Sequence, residues 1–219
     1  MSLRFKLRRI HQKIIFKRAI RDFKANYQTI EKYPNLIPDL VYGWGNMGWS
    51  SFTNYSAAIA KAAQSSVGPV VECGSGLSTI LLGIIAQDKG YQVYTLEHHM
   101  EWRERVLDHL TKLAITSVNV CYAPIIDYDG FHWYDIGQAQ IPDGISLVIC
   151  DGPPHDTKGG RFGLLPVMSS KFANGGVILL DDYSRQEEKD IVKEWQKNYK
   201  LVMRDIGEND EYVGLIYQG

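Results

Sequence analysis

A chain of 219 residues, 45% apolar and 22% charged, has the size for one packed α/β domain and is short for two. Its formal charge of −1 excludes a global pull toward nucleic acid, and no apolar run reaches the roughly 20 residues that a membrane span needs. The charge is unevenly spread, however. Residues 1–24 hold nine bases (Arg4, Lys6, Arg8, Arg9, Lys13, Lys17, Arg18, Arg21, Lys24) and one acid, Asp22, which leaves the remainder at net −9.

Residues 3–30 read as a basic amphipathic helix, closed by Pro34 and Pro38. Leu3, Leu7, Ile10 and Ile14 fall on one stripe, and Phe16, Ile20 and Phe23 on another. Three roles stand for it: packing on its own domain or on a second copy in a homodimer, docking as a peripheral element on an anionic membrane surface, or contact with RNA. Bases without interleaved aromatics would make the RNA contact nonspecific, so no specific nucleic-acid partner is expected. Residues 1–40 thus form a helical extension, and residues 41–219 the main domain.

The glycine- and tryptophan-rich stretch 42–50 reads as a loop, and a helix over about 52–66 ends at Gly68-Pro69. Alternation follows: strand 70–73, helix 77–88, strand 91–97, helix 100–113, strand 117–122 and a long aromatic loop. Then come strand 145–151, helix 160–173, strand 177–181 and helix 185–198, for which Ser184 and Glu187 form a capping box. Strands separated by helices predict a doubly wound, mostly parallel sheet. Residues 201–206 and 211–217, joined by the turn at 207–210, leave no room for a crossover helix, so the last strand runs antiparallel to its neighbour. Cys73, Cys121 and Cys150, all near strand ends without framework spacing, suit reduced thiols in a cytoplasmic setting. With no CxxC, no HExxH and His98 beside His99, a zinc site is not expected.

The stretch "VVECGSGLST" (70–79) carries the first chemical signal. Gly74 permits a tight strand-to-helix turn, and Gly76 lets backbone approach a ligand without a Cβ in the way. Thr79 stands where a dinucleotide fingerprint would have a third glycine. A strand ending at Glu97, 21 residues after Gly76, supplies a carboxylate able to accept both hydroxyls of a ribose. NAD enzymes place an acid similarly, so these features leave a nicotinamide-dependent oxidoreductase open beside a methyl-donor site. A tight turn with an acid capping the next helix is the purely structural alternative.

Taken together, "VVECGSGLST", "VYTLEHH", "CYAP", "SLVICDGPP" and "GGVILLDDY" resemble, in order and spacing, the class I S-adenosylmethionine-dependent methyltransferases over about residues 50–217. The resemblance implies a seven-stranded sheet with an antiparallel last strand, whereas NAD-binding domains end in a parallel one. It implies that Gly74, Ser75 and Gly76 cradle the methionine part of S-adenosylmethionine, with Glu72 beside its ammonium. Glu97, followed by His98, would bind the ribose, and Ala123 would lie along the adenine.

Asp151, also at the cofactor's edge, and Asp181-Asp182 end two strands that are adjacent in this topology, about 4.8 Å apart. Catechol-type O-methyltransferases hold Mg²⁺ with two aspartates and an asparagine at comparable positions, and the resemblance implies such a hard cation among Asp151, Asp181 and Asp182. The alternative is that these carboxylates satisfy backbone donors at turns. Asp181 and Asp182 face opposite sides of a regular strand, so they converge only where the chain has begun to turn. Pro154 stands where the family has a lysine base, and the next candidates are His155, Asp156 and Lys158. His155 could accept a proton at neutral pH and, with Asp151, is the catalytic candidate. The implied activity is O-methylation of a small-molecule hydroxyl such as a sugar or phenol, or else a catalytically silent binding module of the same fold. Residues 43–51 would form a lid. Trp133 and Tyr134 in the loop 128–135 would stack on a ligand or pack the loop down, with His132 as a second base.

Overall fold

The structure, a computed structural model, describes residues 3–45 and 53–219. The elements in chain order are α1 (Leu3–Asn26), α2 (Leu36–Trp44), α3 (Thr53–Ser65), β1 (Val70–Cys73), α4 (Leu77–Lys89), β2 (Val93–Glu97), α5 (Met100–Lys112) and β3 (Val118–Tyr122). They continue with β4 (Ile125–Asp127), β5 (His132–Tyr134), β6 (Ile145–Cys150), α6 (Leu164–Met168), β7 (Phe172–Asp181), α7 (Gln186–Asn198), β8 (Leu201–Ile206) and β9 (Tyr212–Tyr217).

Seven strands form one sheet in the order β3-β2-β1-β6-β7-β9-β8. Every pairing from β3 across to β7 is parallel, and β9 is antiparallel to both β7 and β8. The predicted doubly wound sheet and its antiparallel last strand are therefore present, with β9 inserted between its neighbours and β8 left at the edge. The strand order reverses between β1 and β6, the switch point where open parallel sheets bind ligands. β1 is buried on both faces, as a strand covered by helices must be. Its side chains alternate between two cores. Val70 joins Ile59, Leu81 and Phe23 on one face, and Val71 and Cys73 join Leu165, Val192 and Trp195 on the other.

Several boundaries differ from expectation for identifiable reasons. α1 ends at Asn26 and continues as a 3₁₀ segment, Tyr27–Lys32. Pro38 does not end a helix: it lies in the first turn of α2, where its missing N–H is not needed. The expected boundary at residue 40 thus falls inside α2, and Ile20, Phe23 and Tyr27 of the expected extension belong to the same core as α3 and α4. The expected helix 160–173 is a 3₁₀ turn (Gly160–Gly163), the five-residue α6 and a second 3₁₀ turn (Ser169–Lys171), with Pro166 removing a donor in the middle. β7 begins early, at Phe172, and runs through Gly175-Gly176 with a register shift against β6. A Cβ at Gly176 would meet the carbonyl oxygens of Ala173 and Ile145 at 2.9 Å. The capping box of Ser184 and Glu187 does not form: Arg185 is the N-cap of α7 and makes no side-chain cap bond.

The long aromatic loop contains a hairpin. β4 and β5 pair antiparallel around Asp129-Gly130, both at positive φ (55° and 120°), and Tyr128 stacks on Phe131. Trp133 and Tyr134 are fully buried in the second core, so they pack this hairpin down instead of lying open to a ligand. Of the expected lid, only Gly43, Trp44 and Gly45 fall within the described residues, and the rest of 43–51 lies outside them.

Candidate active site at the switch point

β1 delivers the glycine turn to the switch point. Gly74 sits at φ 87°, a conformation that L side chains rarely adopt, and its N–H donates to the Leu96 carbonyl at 2.9 Å. Gly76 has extended φ, and its Cβ direction opens on empty space, the approach a ligand would use. Thr79 has its own task in place of the third glycine. Its hydroxyl accepts from Gly76 N–H at 2.8 Å and donates to Glu72 Oε2 at 2.7 Å.

Glu72 is completely buried, and its Oε2 also accepts from Thr95 Oγ1 at 2.7 Å. Its Oε1 has no partner among the described residues. Burial raises this carboxyl to about 7, against the hydroxyl hydrogen bonds that favour its ionised form. Glu97 ends β2, buried, and closes on the turn: Ser75 Oγ and N donate to its Oε2 at 2.6 and 3.2 Å, and His99 N donates to its Oε1 at 2.8 Å. His98 Nδ1 lies 3.3 Å from Glu97 Oε1. Ala123 N–H donates to the Glu97 carbonyl at 2.8 Å, which sets Ala123, buried, beside this corner. The predicted cofactor residues on β1, β2 and β3 are thus brought together along the carboxyl edge.

Asp151, Asp181 and Asp182 also converge, with oxygens within 4.8 Å of one another. Asp182 adopts φ 58°, so the chain turns at that residue and both aspartates of the pair can face the cluster. The cation among them belongs to the chain. Arg161, 4% exposed, donates from one terminal nitrogen to the Asp151 carbonyl (2.7 Å), Asp151 Oδ1 (3.2 Å) and Asp182 Oδ2 (2.8 Å). Its other terminal nitrogen donates to the Asp181 carbonyl (2.6 Å) and Glu188 Oε1 (3.3 Å). Arg185 adds a second contact to Asp182 Oδ2 at 2.9 Å.

The expected Mg²⁺ would share this cluster with the guanidinium groups. Asp151 Oδ1 and Asp182 Oδ2 already accept from guanidinium groups, and two backbone carbonyls anchor Arg161 in place, while the buried Asp181 Oδ1 has no partner among the described residues. Asp181 is pushed up to about 9, by burial first and by the neighbouring Asp151 second. Asp151 is also raised, by burial, with Arg161 opposing. Asp151 keeps 32% of its side chain exposed and is the member of the cluster that opens most to solvent.

His155 is exposed in the turn after Pro154, and no hydrogen bond joins its ring to the carboxylates among the described residues. His132 is half-buried in β5. Sequence reasoning missed Arg161 and the Tyr134 hydroxyl. The signal for Arg161 was a basic residue in "GGRFG" (159–163), close after the first of three clustered carboxylates that needed a counter-charge. Tyr134 Oη is buried and unpartnered, and a Cβ on Gly152 would come within 2.2 Å of it, so Gly152 has room for nothing larger.

No protein-family model and no curated protein matches the chain. Solved structures do. The SAH-bound methyltransferase PaMTH1 of Podospora anserina is 13% identical, with 92% of this chain and 88% of that one covered at a TM-score of 0.61. The fold is that of the class I methyltransferases. A candidate O-methyltransferase of Klebsiella pneumoniae is 14% identical over 80% of each chain, TM-score 0.53. The tRNA (m1A58) methyltransferase TrmI of Aquifex aeolicus is 16% identical over 78% of this chain and 70% of that one, TM-score 0.51. These neighbours share the fold and differ in what they methylate.

Proposed function

We propose that this chain is an S-adenosylmethionine-dependent methyltransferase acting on a small-molecule hydroxyl such as that of a sugar or phenol. The observation that carries the reading is the unpartnered Glu72 Oε1, buried beneath a glycine turn whose Gly76 opens on space. A buried carboxylate oxygen without a donor is costly unless a ligand completes it, and an ammonium would do so. When bound, S-adenosylmethionine supplies an electrophilic methyl group on a sulfonium.

The chain's own residues then have distinct tasks. Glu72 receives the ammonium, and the turn at Gly74, Ser75 and Gly76 holds the methionine portion. Glu97, flanked by His98, exchanges the Ser75 hydroxyl for ribose hydroxyls, and Ala123 walls the adenine. Asp151 orients the acceptor hydroxyl and takes its proton, held in place by Arg161, while His155 is the second candidate base. A methyl group moves by in-line displacement, so positioning is the larger part of the protein's contribution. Magnesium is not required in this scheme, because Arg161 and Arg185 already supply cations to the carboxylate cluster. A hydroxyl acceptor is favoured over a nucleobase nitrogen because "DGPPH" inserts a glycine and lacks an aromatic after the prolines.

Calorimetric titration of S-adenosylhomocysteine into wild type and Glu97→Ala tests the donor assignment. Saturable binding that weakens strongly in the variant is expected, and no binding by a folded wild type would sink it. A screen of hydroxyl acceptors, with and without magnesium, then tests the chemistry. Methylation abolished by Asp151→Asn and indifferent to magnesium is expected. A donor-binding protein on which Asp151→Asn and Glu97→Ala have no effect in any readout would instead be a silent binding module.

A further inference from the structure

Helix α1 has two apolar sides, and only one of them is packed. Phe16, Ala19 and Phe23 turn toward the body, where Ala19 and Phe23 are buried in the core. Leu7, Ile10 and Ile14 are 57%, 56% and 61% exposed. At 3.6 residues per turn these three share an arc of about 60°, opposite the packed side. They form a continuous apolar stripe aimed away from the protein. Lys6, Lys13 and Lys17 border it along one side and Arg4 lies on the other, and these four have no acidic partner among the described residues. An apolar stripe with flanking cations is the arrangement of a helix lying in the plane of a membrane interface. No described helix is long and apolar enough to cross a membrane, so any contact of this kind is peripheral.

We infer that α1 docks the protein on an anionic lipid surface, with Leu7, Ile10 and Ile14 entering the headgroup region and Lys6, Lys13, Lys17 and Arg4 meeting lipid phosphates. Charge selects this occupant over a second α1 packed face to face. Two such helices placed face to face would set lysines against lysines, and Asp22, the one acid in residues 1–24, is already taken by Arg21 at 2.9 Å. The anionic surface supplies the missing sign, and attraction to it adds up over several bases.

Flotation with vesicles tests this, using phosphatidylcholine alone and phosphatidylcholine mixed with phosphatidylglycerol, each at low and high salt. Wild type is expected to float with the anionic vesicles only and to be released by salt. A variant carrying Leu7→Asp, Ile10→Asp and Ile14→Asp together, and one carrying Lys6→Glu, Lys13→Glu and Lys17→Glu, each lose at least about tenfold in partitioning. All six positions are exposed, so both variants should keep the wild-type melting curve, which is measured alongside. Failure of wild type to float, equal flotation with neutral vesicles, or variants that float as well as wild type would overturn the inference. So would a dimer in sedimentation equilibrium that the aspartate variant splits while wild type ignores every vesicle.

Discussion

Glu72 sets the pH behaviour of the donor site. A carboxyl held near 7 in the folded protein, against about 4.3 in the unfolded chain, keeps its proton where the unfolded chain has lost it. Its contribution to stability therefore declines as pH rises from the unfolded value through about 7. Binding an ammonium reverses the preference, because the ligand pairs with the ionised form. S-adenosylhomocysteine affinity should climb between about pH 6 and pH 8, and Glu72→Gln should flatten that slope and weaken binding at least about tenfold, both read by calorimetry. Arg161 acts on stability more directly. Arg161→Met would leave Asp151, Asp182 and Glu188 facing one another with a single remaining guanidinium, that of Arg185. Urea unfolding should show a loss of about 3–5 kcal/mol, and Arg161→Lys should recover only part of it, since an ammonium cannot reproduce the fork that reaches both strand ends.

Among the elements, α4 shows how closely helix and sheet approach. A Cβ on Gly83 would lie 2.6 Å from Ile115 and 2.7 Å from Val118, the residues that lead into and begin β3. Gly83→Ala gains helix propensity, yet the overpacking should outweigh it and cost about 1–3 kcal/mol in chemical denaturation. Legibility in the sequence divides along the same line. The β1–turn–α4 unit and the β8–β9 hairpin could be read because local signals, glycines at fixed offsets and a short turn between apolar runs, determine them. The β4–β5 hairpin carried a comparable signal in Asp129-Gly130, but its aromatic content drew attention to ligand stacking instead. Arg161 left only a faint trace in the sequence, a base between glycines shortly after Asp151. Its partners lie 10 to 27 positions away, just past β6, just past β7 and in α7, so its role exists only once the sheet has assembled.

At the scale of the molecule, the charge asymmetry visible in residues 1–24 and the position of the candidate active site belong to separate parts of the fold. α1 sends one apolar side into the core shared with α3 and α4, while the carboxyl edge of the sheet holds the glycine turn and the carboxylates. The placement of β9 has a different implication. Strands β7 and β8 are consecutive in the chain, yet they never touch, because residues 212–217 lie between them as a ladder partner to both. The order in which segments are synthesised is therefore not the order in which the sheet can close. β8 must wait, unpaired, for a strand that emerges after it, because its ladder partner in the sheet is β9.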